Sequence, residues 1–147
     1  MTRLILFVGT ALLLTAGTVW AGPFEDAAAA YARGEYVTAF KIIQPLAAQG
    51  DVRAQFSLGP MYLNGHGVSQ DSPKADKWFR LSVAQGNAKA QAHLGALYGS
   101  GQGVPHDYAT ARQWYEHAAV QGYASAQNNL GVLYRDGHGL PQEDVKA

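Results

Sequence analysis

The chain has 147 residues, enough for one domain of ordinary size, with 11 basic and 11 acidic side chains. That balance, without any basic run, argues against a nucleic-acid binder held by phosphate contacts, which needs a cationic surplus. No cysteine is present, so disulfides, thiolate catalysis and cysteine-ligated metals are excluded.

The first 21 residues have their own logic. Arg3 and the free amine supply positive charge, residues 4–14 are almost wholly apolar, and Val19 and Ala21 offer small side chains at −3 and −1 of a cleavage point. This is the pattern of a secretory signal peptide over residues 1–21. The alternative is a retained anchor. Residues 4–21 fall short of the ~20 that a spanning helix needs, and Gly9, Gly17 and three threonines interrupt them. Cleavage after Ala21 predicts a periplasmic or secreted protein with no membrane attachment afterwards.

Residues 22–50 read as a degenerate leading helix pair, at about 24–33 and 35–49. Pro45 falls inside the second of these and should kink or interrupt it.

The text then repeats. "LGPMYLNGHGV" begins at Leu58, "LGALYGSGQGV" at Leu94 and "LGVLYRDGHGL" at Leu130, each 36 residues beyond the last. The same interval relates Gln49-Gly50, Gln85-Gly86 and Gln121-Gly122, and the pairs Ala54-Gln55, Ala90-Gln91 and Ala126-Gln127. Three units follow: 51–86, 87–122 and an incomplete 123–147.

Each unit reads as two helices. Helix A covers about 52–63 in the first copy, where Ala54, Gln55, Leu58, Gly59 and Tyr62 share one arc and form the packing stripe. Asp51 and Asn87 can cap the first two A helices, whereas Tyr123 in the third copy cannot. A glycine-rich loop supplies positive φ where the chain leaves the helix. Helix B opens on Asp71 or Asp107 and carries Ala75, Trp78, Phe79 and Ser82, then Ala111, Trp114, Tyr115 and Ala118, at i, i+3, i+4, i+7. The spacing places both tryptophans in the core. One helix pair cannot bury its own apolar face but stacked pairs can, so the expected fold is an all-α solenoid, an α/α superhelix of antiparallel pairs with a 36-residue repeat.

Ala147 falls at the place of Ala75 and Ala111, so the last unit carries only the start of a helix B within this sequence. That predicts self-association through the incomplete C-terminal repeat, or fraying from Tyr123 onward.

The segments "AQFSLGPMYLNGHGVSQDSPKADKWF" and "AQAHLGALYGSGQGVPHDYATARQWYEHAAVQG" resemble Sel-1-like repeats, relatives of tetratricopeptide repeats with a longer, glycine-bearing loop. The resemblance covers residues 51–147, and the leading unit matches more weakly. It implies α/α superhelices, most of them adaptors that hold other proteins, some secreted or periplasmic. A cysteine-rich branch is associated with penicillin binding and weak β-lactamase activity. The absence of cysteine here gives no ground for carrying that activity over.

Chemistry is sparse. There is no G-x-S-x-G, S-x-x-K, H-E-x-x-H or Walker loop. His66 and His138 share one loop position, with Gln102 between them. They read either as a metal row or as solvated loop side chains. Two units of about two ~10 Å helix diameters each would set them roughly 40 Å apart, too far to share an ion whose ligands sit within ~2.3 Å. No metal, cofactor or catalytic residue is therefore assigned.

The informative positions are those where the copies differ on helix A. They are Arg53, Lys89 and Ser125; Ser57, His93 and Asn129; Pro60, Ala96 and Val132; and Asn64, Ser100 and Asp136. Their offsets of 0, 4, 7 and 11 form one stripe away from the packing arc. Freedom to differ predicts side chains that do not hold units together. The leading expectation is a non-enzymatic adaptor binding a protein or peptide through the concave face that A helices line. An envelope hydrolase acting on peptidoglycan or β-lactams, or a spacer in a larger assembly, are the alternatives.

Overall fold

The structure is a computed structural model that describes residues 21–139. The expected signal segment lies outside the described residues. Among the described residues seven helices run in chain order: α1 (Pro23–Ala32), α2 (Tyr36–Ala48), α3 (Val52–Asn64), α4 (Ser72–Ala84), α5 (Ala88–Ser100), α6 (Tyr108–Val120) and α7 (Ala124–Arg135). No strand occurs among the described residues. Each helix packs chiefly on its neighbours in the chain, and α5 also touches α7. This is the quasi-one-dimensional order of a solenoid, with α1, α3, α5 and α7 as A helices and the others as B helices. None of the seven is long and apolar enough to cross a membrane.

Capping decides where the helices start. The Asp51 carboxylate accepts from the Ala54 N–H at 3.0 Å, and Asn87 accepts from Lys89 and Ala90. Asp71 and Asp107 do the same for α4 and α6. Tyr123 makes no side-chain cap at α7. Each such cap contributes about 1 kcal/mol by satisfying an N–H that the first turn leaves open. At the other end, Gly65 (φ +67°) and Gly101 (φ +66°) close α3 and α5 in the left-handed conformation.

The packing arc of α3 is buried as the periodicity predicts: Ala54, Gln55, Leu58, Gly59 and Tyr62 face inward, with Met61 beside them. Two expectations need correction: Pro45 does not interrupt its helix, and the tryptophans are not central. α2 runs uninterrupted through Pro45 to Ala48. Pro45 and Lys41 are both exposed, so the carbonyl that loses its N–H partner faces solvent, where water can bond it. The tryptophans are also not fully interior. Trp78 and Trp114 are half-buried and lean on the core from its edge. At 100° per residue Phe79 and Ser82 lie within about 40° of Ala75, whereas Trp78 lies about 60° away, on the flank of the arc.

Pro60 lies inside α3 without ending it. It still withholds an N–H from Phe56, and Ala96 and Val132 stand at its place in α5 and α7. Pro60→Ala should therefore raise the melting temperature, the upper bound being the ~3 kcal/mol that a proline costs in a helix interior. A lower melting temperature in thermal circular dichroism would show that the proline ring is part of the packing.

The helices are tied by side chains at fixed intervals, within units and between them. Gln85 Nε2 donates to Gln55 Oε1 at 2.8 Å, and Gln121 Nε2 to Gln91 Oε1 at 2.7 Å. Gln55 in turn donates to the Ala47 carbonyl of the preceding unit. The repeated tyrosines reach back to the B helix before them: the Tyr98 hydroxyl donates to Asp76, and that of Tyr134 to Glu116. Gln55 and Gln91 are buried, Tyr98 is half-buried, and all three are hydrogen-bonded, as polar groups there must be, whereas Gln85, Gln121 and Tyr134 make their bonds from exposed positions.

Candidate protein-binding face

The A helices lie side by side, and the clefts between them bring most of the variable stripe together. Between α3 and α5 a cleft of about 330 Å³ is lined by Leu63, His93, Ala96 and Ser100. Between α5 and α7 there are two. One, of about 160 Å³, holds His93, Ser125 and Asn129, and the other, of about 340 Å³, holds Ser100, Asn129, Val132 and Asp136. Ser57 and Pro60 line a fourth cleft, between α1 and α3. Asn64 lies apart from these, beside the α3–α4 loop with Gln70 and Gln102. Lys89 is exposed on the first turn of α5 and lines none of them. His93, Ala96, Ser100 and Asn129 are shared between clefts, which makes α5 a ridge with a channel on each side.

Two stripe residues are not the free surface groups that their variability suggests. Arg53 joins α3 to α1: its guanidinium lies 3.0 Å from the Glu25 carboxylate and 4.2 Å from the Phe24 ring centroid. It also reaches Asp51 at 3.5 Å. His93 is half-buried, stacked on Phe79 at 5.3 Å and edge-on to Phe56 at 5.2 Å. Burial, and then the charge of Lys89, lower its pKa below the ordinary value, because the charged form is the one that loses solvation. A neutral imidazole at pH 7 makes the channel wall beside it aromatic and uncharged. Both side chains therefore help to hold units together, contrary to expectation. A position can differ between copies and still be structural if its partner differs too.

The loop histidines match neither the metal row nor the solvated loop. His66 stacks on Tyr36 at 4.1 Å with the rings 4° from parallel, and shares a 2.6 Å hydrogen bond with the Tyr31 hydroxyl. His138 stacks on Tyr108 at 4.0 Å and 9°. Each glycine loop thus docks on the first turn of the B helix one unit earlier. The signal was present in the sequence at a spacing of 30. Where the loop has histidine, that first turn has tyrosine (His66 with Tyr36, His138 with Tyr108). Where the loop has Gln102, the helix has Ser72. Among the described residues no cluster of three histidines or carboxylates is placed to hold a metal ion.

The fold and this face define an all-α repeat solenoid in which every unit is joined to the last by hydrogen bonds and ring stacking. Sequence comparison then fixes the family. The Sel1 repeat model matches residues 52–87, 88–123 and 124–147. The chain belongs to the Sel1 repeat family, whose units generally mediate protein–protein interactions and are typically non-catalytic. No curated protein matches it. Among solved structures it is similar to c5321, a protective antigen of uropathogenic Escherichia coli with an SLR fold, at 37% identity and a TM-score of 0.72. It is also similar to a Sel1 repeat protein from Oxalobacter formigenes, at 31% identity and a TM-score of 0.73. The matches cover 80% and 81% of this chain but 27% and 49% of those proteins. The chain thus spans less than half of either relative.

Proposed function

We propose that this protein is a non-enzymatic scaffold of the periplasm or secreted space that holds a peptide or protein segment along its A-helix face. The observation that carries the reading is the coincidence of two independent patterns. Positions free to vary between copies line connected clefts of about 160 to 340 Å³ on both sides of α5. In helical solenoids the inner, concave surface is the one that accepts ligands, and small residues at Ala96 and Ser100 leave room there for a chain to lie. The extracytoplasmic location rests on the charged, apolar and small-residue order of residues 1–21.

Lys89, Ser125 and Asn129 are exposed and flank or line the channel between α5 and α7. Changing all three to alanine should leave helical circular dichroism intact and the melting temperature close to that of the parent, at no more than ~0.5 kcal/mol for each surface change. Crosslinked capture of the partner from the native envelope should fall at least tenfold. Full capture by the triple variant would place the binding surface elsewhere.

A further inference from the structure

A titratable ring stands midway along the ridge of α5. His93 lines the cleft of about 330 Å³ towards α3 and the cleft of about 160 Å³ towards α7. Its imidazole is therefore a wall common to both channels. At its place α3 has Ser57 and α7 has Asn129, neither of which titrates. The ring lies 17° from parallel to that of Phe79 and at 68° to that of Phe56. Phe79 belongs to α4 and is fully buried, and Phe56 belongs to α3. One imidazole thus closes the contact of three helices.

That seat suits the neutral ring and not the charged one. A proton gives both ring nitrogens an N–H and the ring a full charge, which then needs an acceptor or water. The neighbouring elements supply no anion. α3 presents Phe56 and α4 presents Phe79. α7 presents Ser125 and Asn129, with the phenol of Tyr123 just before it. Among the described residues that line the two clefts with His93 there is no carboxylate. The charge that acts on it is that of Lys89, one turn earlier on the same helix, and it repels a second positive charge. Phe79 has no space to move into, but the imidazole has a cleft on either side.

We propose that His93 is an acid-sensitive latch. Neutral, it closes the contact between α3, α4 and α5 and forms the shared wall of the two channels. Protonated, it leaves the phenyl rings, puts a positive charge into the channels and releases the segment held there. The release rests on the binding face proposed above, whereas the movement of the ring does not. Burial, and then Lys89, hold the pKa of His93 below the ordinary 6.5. The unfolded chain therefore takes the proton at a higher pH than the folded one. The stability that the seated ring contributes is fully present above pH 6.5 and is lost as the pH falls through the lower, folded value.

The test follows the His93, Phe56 and Phe79 ring resonances of the purified protein by NMR as the solution is acidified. His93 should titrate with a midpoint below 6.5, and both phenylalanine signals should move with that same midpoint. A midpoint at or above 6.5, as attraction of the imidazolium to the Phe79 face would give, would overturn the latch. So would phenylalanine signals that stay fixed while the ring titrates. Melting is the second measurement. On acidification the melting temperature should fall further in the parent than in His93→Phe, whose ring takes no proton. The remaining histidines are common to both proteins, so equal falls would also overturn the latch. Crosslinked capture of the partner from the native envelope reads the release. It should drop severalfold in mild acid for the parent and be the same at neutral and acid pH for His93→Phe, whatever its absolute level. NMR and melting need no partner, so a wrong binding face would leave both results standing. Capture that depends on pH equally in the two proteins would overturn the release.

Discussion

Gly59→Ala should unfold the solenoid at a markedly lower temperature, whereas Gly131→Ala, at the same repeat position, should make it more stable. A Cβ on Gly59 would enter the ring of Phe79, lying 2.7 Å from its Cδ1 and closer still to its Cε1 and Cζ. Phe79 is 0% exposed, so the ring has nowhere to go. Overpacking of this kind costs ~1–3 kcal/mol, and contact with three ring carbons puts this site at the upper end. The better helix propensity of alanine returns ~1 kcal/mol, leaving a net loss of about 2 kcal/mol. For a domain of this size that lowers the melting temperature by roughly 5–10 °C. Gly95 faces Tyr115 at 2.6 Å and should behave like Gly59. Gly131 has nothing within 4 Å, so only the propensity gain remains, up to ~1 kcal/mol. Equal effects of the three substitutions would mean that ring and glycine are not packed as described.

The three glycines also mark what was legible beforehand. The 36-residue interval identified them as repeat positions, and with them the packing arc of α3 and the caps at Asp51, Asp71, Asn87 and Asp107. Those features are local: a cap needs only its own first turn and an arc only its own helix. Ring against glycine is a contact between helices, so its identity showed in the sequence but its geometry did not. The same division runs through the candidate face. The stripe offsets group Ser57, His93 and Asn129, and the structure sets them along clefts between successive A helices. Nothing in those offsets showed that Arg53 would be held by Glu25, 28 residues away, or that His93 would lie on Phe79. The glutamine joints went unread for a further reason. Gln55 and Gln85 recur with the same period as everything else, and a uniform period cannot say which recurrent residues touch. Only a position that changes can do that, as His66 and Tyr36 do when both give way, one unit later, to Gln102 and Ser72.

That exchange leads to the second large effect, at the loop glycines. Gly86 (φ +87°) has open space around its Cα, whereas Gly67 (φ +75°) lies against the Tyr36 carbonyl, and an added Cβ there would come within 2.9 Å of the Val37 nitrogen. Both positions use a backbone conformation that costs an ordinary L-residue ~1–2 kcal/mol. Gly86→Ala should cost that and no more. Gly67→Ala adds collision with backbone atoms that cannot rotate away. A further ~1–3 kcal/mol of overpacking brings the total loss to roughly 2–5 kcal/mol. The loss should be local as well as large, because the loop after α3 is what fastens that unit to the first turn of α2. Hydrogen exchange should therefore quicken at Tyr36 to Phe40 in the Gly67 variant and stay unchanged there in the Gly86 variant. His66→Ala should show a weaker form of the same pattern, losing the ~0.5–1.5 kcal/mol of an aromatic stack while the glycine stays seated. If Gly67→Ala and Gly86→Ala prove equally mild, the loop is not docked, and the histidine–tyrosine stacks contribute nothing to joining the units.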